Sequence, residues 1–520
     1  MSSGKYSRFR DDLFQPVDIA PLVFFRVAFA AMLVIEMLRY VIPGSTGVSW
    51  VQQFWILPRL HFAYEGFEWI RPWPGLGMNI HFLAVGGVAL LVLLGFWYRV
   101  SAVLLFLGFS TIFLMDKTLY LNHFYLYCLL SFLLMFLPAG RAFSLDSRRN
   151  PSIRSTTAPA WTLWILWAQI GLVYFYGGVA KLDADWLQGA PVRAMLADRS
   201  EAPLVGPYVQ ESWLIYLVTY GGLFLDLLVT PFLLWRKTRR YAFAAAVAFH
   251  VTNSWLFSIG TFPWVMIVAT MLFLPEPLRR LLDWLRPDSQ RQLHKSALLA
   301  DPSPLRRRVT LAFLALYLAI QVVVPLRHHW YPGYTSWTER GHRFSWRMML
   351  RHKEPVIQLL DLRLIDPASG QSWEVDPEQY LSAEEVRRST TDPKLVKKLR
   401  ESVAKDWQDK GYSQLDMRGR TAAVRFTITT PERSGILNLS DFLPEWQGQK
   451  MAIDPGLIVQ FSRWLAKEVA GPAAEVRAEV WVQLNGRKAQ LLLDPQFDLM
   501  QVQGGRGPAP WILPLAEPLP

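Results

Sequence analysis

Over the first two-thirds of the chain the apolar residues gather into nine runs, at 21–42, 81–97, 99–115, 119–137, 161–180, 214–235, 241–258, 262–274 and 309–326, separated by polar links. About twenty apolar residues cross a hydrocarbon core when helical. The pattern therefore predicts a multi-pass α-helical membrane protein of about nine spans over residues 1–326, with 262–274 short enough to re-enter instead of crossing. A membrane-edge connector, 327–354, follows. Beyond it the period drops to two. "EVRAEVWVQLNGRKAQLLLD" sets Val476, Ala478, Val480, Val482 and Leu484 on one face against Arg477, Glu479 and Gln483 on the other. It then turns at Asn485-Gly486, a type I′ hairpin pair. "VIQLLDLRLID" and "AAVRFTITT" read as further strands, so residues 355–520 are expected to form a β-rich α+β soluble domain. Two helices are embedded in it. "DPKLVKKLRESVAKD" from Asp392 and "DPGLIVQFSRWLAKE" from Asp454 share an Asp N-cap, a proline at the first helical position, and apolar residues in matching places. A local duplication and a chance likeness both account for that.

Composition agrees with a greasy part joined to a polar one: 52% of the 520 residues are hydrophobic, and 23 are Trp. The net charge of +12 reads first as basic cytoplasmic loops. No basic-aromatic nucleic-acid module stands out, so no nucleic-acid partner is expected. Cys128, the single cysteine, supports neither a disulfide framework nor a thiolate metal site. The first twenty residues lack the apolar stretch and small-residue cleavage site of a signal peptide, so the first run is expected to be kept as a span. With the N-terminus in the cytoplasm and all nine runs crossing, the inner loops carry four Arg at 141–155, "RKTRR" at 236–240, and eight Lys or Arg against four acids at 276–308. The outer loops are balanced or acidic, as the positive-inside rule demands. The C-terminal domain and Lys117 then share the extracytoplasmic side: periplasmic in a bacterium, lumenal in a eukaryote.

On that side polar residues sit at the membrane edge in "LPRLHFAYEGFEWIRPWPG", "DKTLYLNHFYLY", "GGVAKLDADWLQG", "FHVTNSWLFSIGTFPW" and "PLRHHWYPGYTSWTERGHRFSWRMM". Lys117, beside Asp116, has two readings: a snorkelling interfacial lysine, or an ammonium desolvated enough to serve as a base. His250 and Asn253 are three apart and share a helix face; His250 also reads as an interior histidine bridging helices. His328 and His329 follow the last run, where interfacial histidines are often structural. No His-Glu-x-x-His pattern, cysteine pair or acidic cluster offers ligand spacing, and no metal is expected.

"LMDKTLYLNHFYLYCLLSFLL", "YFYGGVAKLDADWLQG", "FHVTNSWLFSIGTFPW", "LFLALYLAIQVVVPLRHHWYPGYTSWTERGHRFSWRMM" and "VWVQLNGRKAQLLLDPQFDL" with "PWILPL" occur in this order. Together they resemble the vitamin K-dependent γ-glutamyl carboxylase family, in the form of a bacterial-type homologue with a horizontally transferred transmembrane (HTTM) domain. The likeness covers most of the chain to about 375 and again from about 450, so 376–448 looks inserted. It implies an enzyme that oxygenates a reduced vitamin K, a phylloquinol or menaquinol-like naphthohydroquinone, to its epoxide. The implied co-substrates are O2 and CO2, and the coupled step is γ-carboxylation of a glutamate-containing peptide or protein. By resemblance Lys117 is the catalytic base, and His250 and His328 stand at the reacting centre. His61, Asn122, His123, Tyr125 and Asn253 are expected to touch substrate or cofactor. Two other readings stand beside this one: a quinol epoxidase that carboxylates nothing, and a non-enzymatic transporter or quinone-binding scaffold. Against the transporter, the chain has no obvious inverted repeat.

Overall fold

The computed structural model describes residues 11–285 (except 204 and 258), 302–355 and 359–519, the last stretch without 366–371, 376–378, 383–384, 386–392, 411–415, 422–423, 431–433, 438–441, 472 and 517. The chain divides into two compact units. The first is Met1–Trp330 with Gly341–Leu350, and the second is Tyr331–Arg340 with Arg351–Pro520.

The first unit is helical apart from one short antiparallel pair, β1 (Pro16–Asp18) with β2 (Thr157–Pro159). Its long elements are α1 (Ala20–Val41), α2 (Gly77–Leu94), α3 (Tyr98–Leu114), α4 (Asn122–Phe136), α5 (Trp161–Ala180), α6 (Ser212–Leu234), α7 (Arg239–Leu256), α8 (Phe262–Thr270), α9 (Pro275–Leu285) and α10 (Pro304–Val323). Each of the nine apolar runs is thus helical. Among the described residues five helices, α1, α2, α5, α6 and α10 with its 3-10 extension to Trp330, are long and apolar enough to cross a membrane. Three apolar helices are shorter, at Tyr98–Leu114, Asn122–Phe136 and Phe262–Phe273. α7 opens on two arginines. By length and composition the nine-span expectation is therefore met by five helices.

Two features shape the interior of the bundle. Arg26 of α1 is fully buried, and its guanidinium donates to the carbonyls of Ala139 at 2.6 Å, Ala142 at 3.1 Å and Phe143. The turn after α4 thereby finds donors for carbonyls that no helix supplies. Between α5 and α6, Gly177-Gly178 lets the backbones approach: a Cβ at Gly178 would lie 2.7 Å from the Leu227 side chain and 3.0 Å from its backbone nitrogen.

The second unit carries the sheets: β3 (Lys353–Pro355), β4 (Leu359–Ile365), β5 (Ser372–Val375), β6 (Asp416–Thr421), β7 (Val424–Thr429), β8 (Ser434–Leu437), β9 (Glu475–Leu484) and β10 (Gln490–Leu491). β10, β9, β7 and β8 are neighbours in that order, with β3 also on β9, and β5-β4-β6 form a separate three-stranded sheet. β9 buries Val476, Ala478, Val480, Val482 and Leu484, the face its alternation predicts. Asn485 and Gly486 both take positive φ, as a type I′ pair requires. Helices lie at Pro393–Asp409 and Pro455–Leu465. The Asp454 carboxylate caps the latter, accepting from the N–H groups of Gly456 at 2.9 Å and Leu457 at 3.3 Å; the matching cap, Asp392, lies outside the described residues. The stretch 376–448 supplies β6, β7 and β8. Since β7 lies between β9 and β8, this stretch is woven into the sheet and not appended to it.

At the core of this unit Lys353 is buried. Its Nζ donates to the carbonyls of Ile453 at 2.6 Å and of Trp337, and lies 3.4 Å from Glu339, which Arg351 also bonds at 2.6 Å. Burial pushes the Lys353 ammonium down to about 8 despite the carboxylate beside it.

Candidate functional site

Within the helical unit a cavity of about 650 Å³ opens among α1, α4, α5, α6, α7 and α8. Most of its wall is apolar or aromatic, including Trp50, Phe54, Phe249, Phe257 and Phe262, with Met348 and Met349 contributed from beyond the last long helix. Besides Gln53, Asn122, His123 and Asn253, three bonded polar groupings interrupt that wall.

The first is Lys181 with Asp226. α5 ends at Ala180, Lys181 caps it, and Asp183 starts the short helix Ala184–Leu187 by accepting from the Asp185 N–H at 3.0 Å. That turn brings Trp186 back over the lysine. Lys181 Nζ lies 5.2 Å from the indole centroid and donates to Asp226 Oδ2 at 2.6 Å and to the Gly177 carbonyl at 3.2 Å. Both charged side chains are almost wholly buried. A Cβ at residue 177 would stand 3.2 Å from Asp226 Oδ2, so glycine there keeps room for the carboxylate.

The second grouping is a hydrogen-bond chain whose direction is fixed by counting protons. Thr270 Oγ1 donates its one proton to the Met266 carbonyl at 2.6 Å. The Tyr174 hydroxyl, 3.0 Å away, must then donate to Thr270. His250 Nε2, 2.8 Å from that hydroxyl, is left as the donor to it. His250 is therefore the Nε2–H tautomer, and its Nδ1, buried with no partner among the described residues, is an unprotonated acceptor. An orphaned lone pair costs less than an orphaned N–H, which favours the same assignment.

Glu36 and Arg39, one turn apart near the end of α1, form the third. Arg39 Nη1 donates to the buried Glu36 carboxylate at 2.7 Å, and its guanidinium lies 5.1 Å from the Trp50 ring centroid.

Of the residues singled out in the sequence, His250, His123, Asn122 and Asn253 line this cavity. The Tyr120 hydroxyl donates to Asn122 Oδ1 at 3.1 Å. Lys117, His61, His328 and Tyr125 are not among its lining residues. Lys117 opens a 3-10 turn after α3, its backbone N–H bonded to the Phe62 carbonyl at 2.7 Å. Asp116 accepts from the Thr118 N–H and hydroxyl at 2.8 and 2.6 Å, and from His61 Nδ1 at 3.2 Å. His328 Nδ1 donates to the Pro325 carbonyl at 2.9 Å, and its ring lies 4.0 Å from that of His329. Tyr125 packs on Phe344 and Trp346.

The residues that sequence reasoning passed over are Lys181, Asp226, Tyr174, Glu36 and Arg39. A signal existed for the two acids: each is the lone carboxylate of an apolar run, where an ionised side chain demands a partner. Among the described residues no group of three or more His, Cys, Asp or Glu side chains could hold a metal ion.

Residues 14–277 match the family model of the HTTM domain. Residues 306–424 and 407–518 match that of the vitamin K-dependent gamma-carboxylase lumenal domain. No solved structure matches the chain.

Proposed function

This chain belongs to the vitamin K-dependent gamma-carboxylase family, and from that premise we propose that the cavity receives a reduced vitamin K and that its oxygenation to the epoxide drives γ-carboxylation of a glutamate side chain. The observation that carries the reading is the buried Lys181–Asp226 pair in the wall of an apolar cavity of about 650 Å³. That volume lies within the range of small-molecule sites. Flat aromatic walls suit a bicyclic hydroquinone, and the few polar groups suit its two hydroxyls. When bound, the reduced vitamin K supplies, together with O2, the strong base that a glutamate γ-proton requires, and CO2 then adds to the carbon.

The side chains contribute proton handling and orientation. Lys181 and Asp226 carry no net charge together, whether as ammonium and carboxylate or as amine and carboxylic acid. Moving one proton along the 2.6 Å bond therefore frees an amine without creating charge in a dry site. Nζ in that state can take a proton from an acidic O–H presented in the cavity, and the resulting ammonium faces the negative charge it has produced. Lys181, and not Lys117, is accordingly the base in this proposal. Asp226 orients it, and Trp186 shields it from water. His250, held by Tyr174, presents a fixed tautomer to the same space, while His123, Asn122 and Asn253 add hydrogen-bonding capacity.

Nine crossings, with the N-terminus in the cytoplasm and the second unit outside, complete the proposal, supported by the basic loops at 141–155 and 236–240. The deciding experiment is epoxide formation by the purified full chain from a reduced naphthoquinone under air, with labelled bicarbonate and a glutamate peptide present. Epoxide with incorporated label supports the whole reading, and epoxide without label supports a quinol epoxidase. Failure with every quinol tried, from folded protein, leaves a quinone-binding scaffold.

A further inference from the structure

The cavity wall contains a second cation, and its bonding differs from that of Lys181. Arg39 offers five N–H donors. Only Nη1 is engaged, by Glu36 at 2.7 Å, and its other donors have no partner among the described residues. The guanidinium is nonetheless held: Glu36 anchors one corner, and the Trp50 ring lies 5.1 Å from its carbon. Glu36 is itself almost wholly buried, whereas the Arg39 side chain is 39% exposed. A planar fork fixed at one corner, with its remaining donors turned to neither protein nor helix backbone, is the arrangement that takes a carboxylate through two parallel bonds. Arg39 is also in the last turn of α1, at the end of a span, where a polar chain can reach it without entering hydrocarbon.

We infer that Arg39 is the anchor for a carboxylate-bearing second substrate, binding it in the same cavity in which another polar grouping, Lys181 with Asp226, serves the quinol. This rests on the function proposed above for the identity of the chemistry, but the binding itself is testable without turnover. Glu36 is then a positioning residue: it holds the fork and lowers the net charge that the incoming carboxylate meets.

The test uses the detergent-solubilised full chain and two matched probes, N-acetylglutamate amide and N-acetylglutamine amide, which differ only in charge and one heteroatom. Dissociation constants come from saturation-transfer NMR. The wild type is expected to bind the glutamate probe about tenfold more tightly than the glutamine probe, the worth of one charge-assisted pair. Arg39→Gln should bring the two constants together. Because that change leaves Glu36 buried without its partner, Glu36→Gln/Arg39→Gln is measured beside it and should behave alike. Equal binding of both probes by the wild type, or discrimination that survives in either variant, overturns the assignment. Epoxide formation from a quinol alone is assayed in parallel: its absence counts against the proposed quinol chemistry, whereas the role of Arg39 is decided by the two probes.

Discussion

Lys181 and Asp226, 45 residues apart, meet through a 2.6 Å hydrogen bond in which both partners are almost wholly withdrawn from solvent. A buried pair of this kind is weak evidence for stability, since desolvation offsets much of its attraction. It becomes informative because a cavity adjoins it.

The first prediction follows from that placement. Lys181→Ala should lower epoxide formation by about 10²- to 10⁴-fold at neutral pH, the usual cost of losing a general base. Raising the pH toward about 10, where a phenolic group ionises unaided, should restore part of the rate. Lys117→Ala, measured in the same detergent, should keep most of the activity. The reverse ranking would return the base to Lys117.

Tyr174 and His250 should act as one unit. Tyr174→Phe removes the acceptor for His250 Nε2–H and the donor to Thr270, so kcat/KM for the quinol should fall roughly tenfold. In a double-mutant cycle, Tyr174→Phe/His250→Ala should be no worse than His250→Ala alone. Additive losses would separate the two residues.

Arg26 tests the structural reading of a buried cation. Its guanidinium satisfies three carbonyls of the turn after α4, so Arg26→Met should destabilise the bundle by at least roughly 2 kcal/mol. Thermal unfolding in detergent, with Arg26→Lys as an intermediate case, measures it; an unchanged midpoint in Arg26→Met would mean the carbonyls find other donors.

A pH dependence is expected in the second unit. Burial lowers Lys353 to about 8 from an ordinary 10.5, so between those values the unfolded chain binds more protons than the folded one, and stability rises with pH. Below about pH 8 the cost of burying the charge is fully present. Relative to Lys353→Met, which removes the titration, the wild type should therefore gain thermal stability from pH 8 to 10 while the difference stays flat from 6 to 7.5. A flat difference throughout would show that the carbonyls of Trp337 and Ile453 compensate the ammonium completely.

Much of the architecture was legible because it follows from periodicity. The β9 face is an example, since alternation in "EVRAEVWVQL" specifies the buried set without any tertiary information. His250 with Asn253, and Asn122 with His123, were legible as polar residues within or at the ends of apolar runs, where they need a reason to be present. Lys181 was not. Lys117 has an acid next to it in the chain, whereas the acid that matters to Lys181 lies on another helix and is brought to it by the Gly177-Gly178 approach of α5 to α6. Adjacency in the chain shows the acid beside Lys117, whereas the acid bonded to Lys181 is visible only in the packing. The stretch 376–448 reads as an insertion in the sequence, yet it falls within the matched segments 306–424 and 407–518, and β7 is an interior strand of the sheet.

Gly341–Leu350 returns to the first unit after Tyr331–Arg340 has joined the second. A gene fragment ending after the last long helix would encode every helix around the cavity yet omit Met348 and Met349 from its wall, together with the buried Trp346. A cut placed after Leu350 restores them but carries away Tyr331–Arg340, including the Trp337 carbonyl and the Glu339 carboxylate that receive Lys353. No single breakpoint yields two intact halves. The membrane half cannot be transplanted between chains, or expressed alone for binding work, without a graft that replaces both exchanged decapeptides.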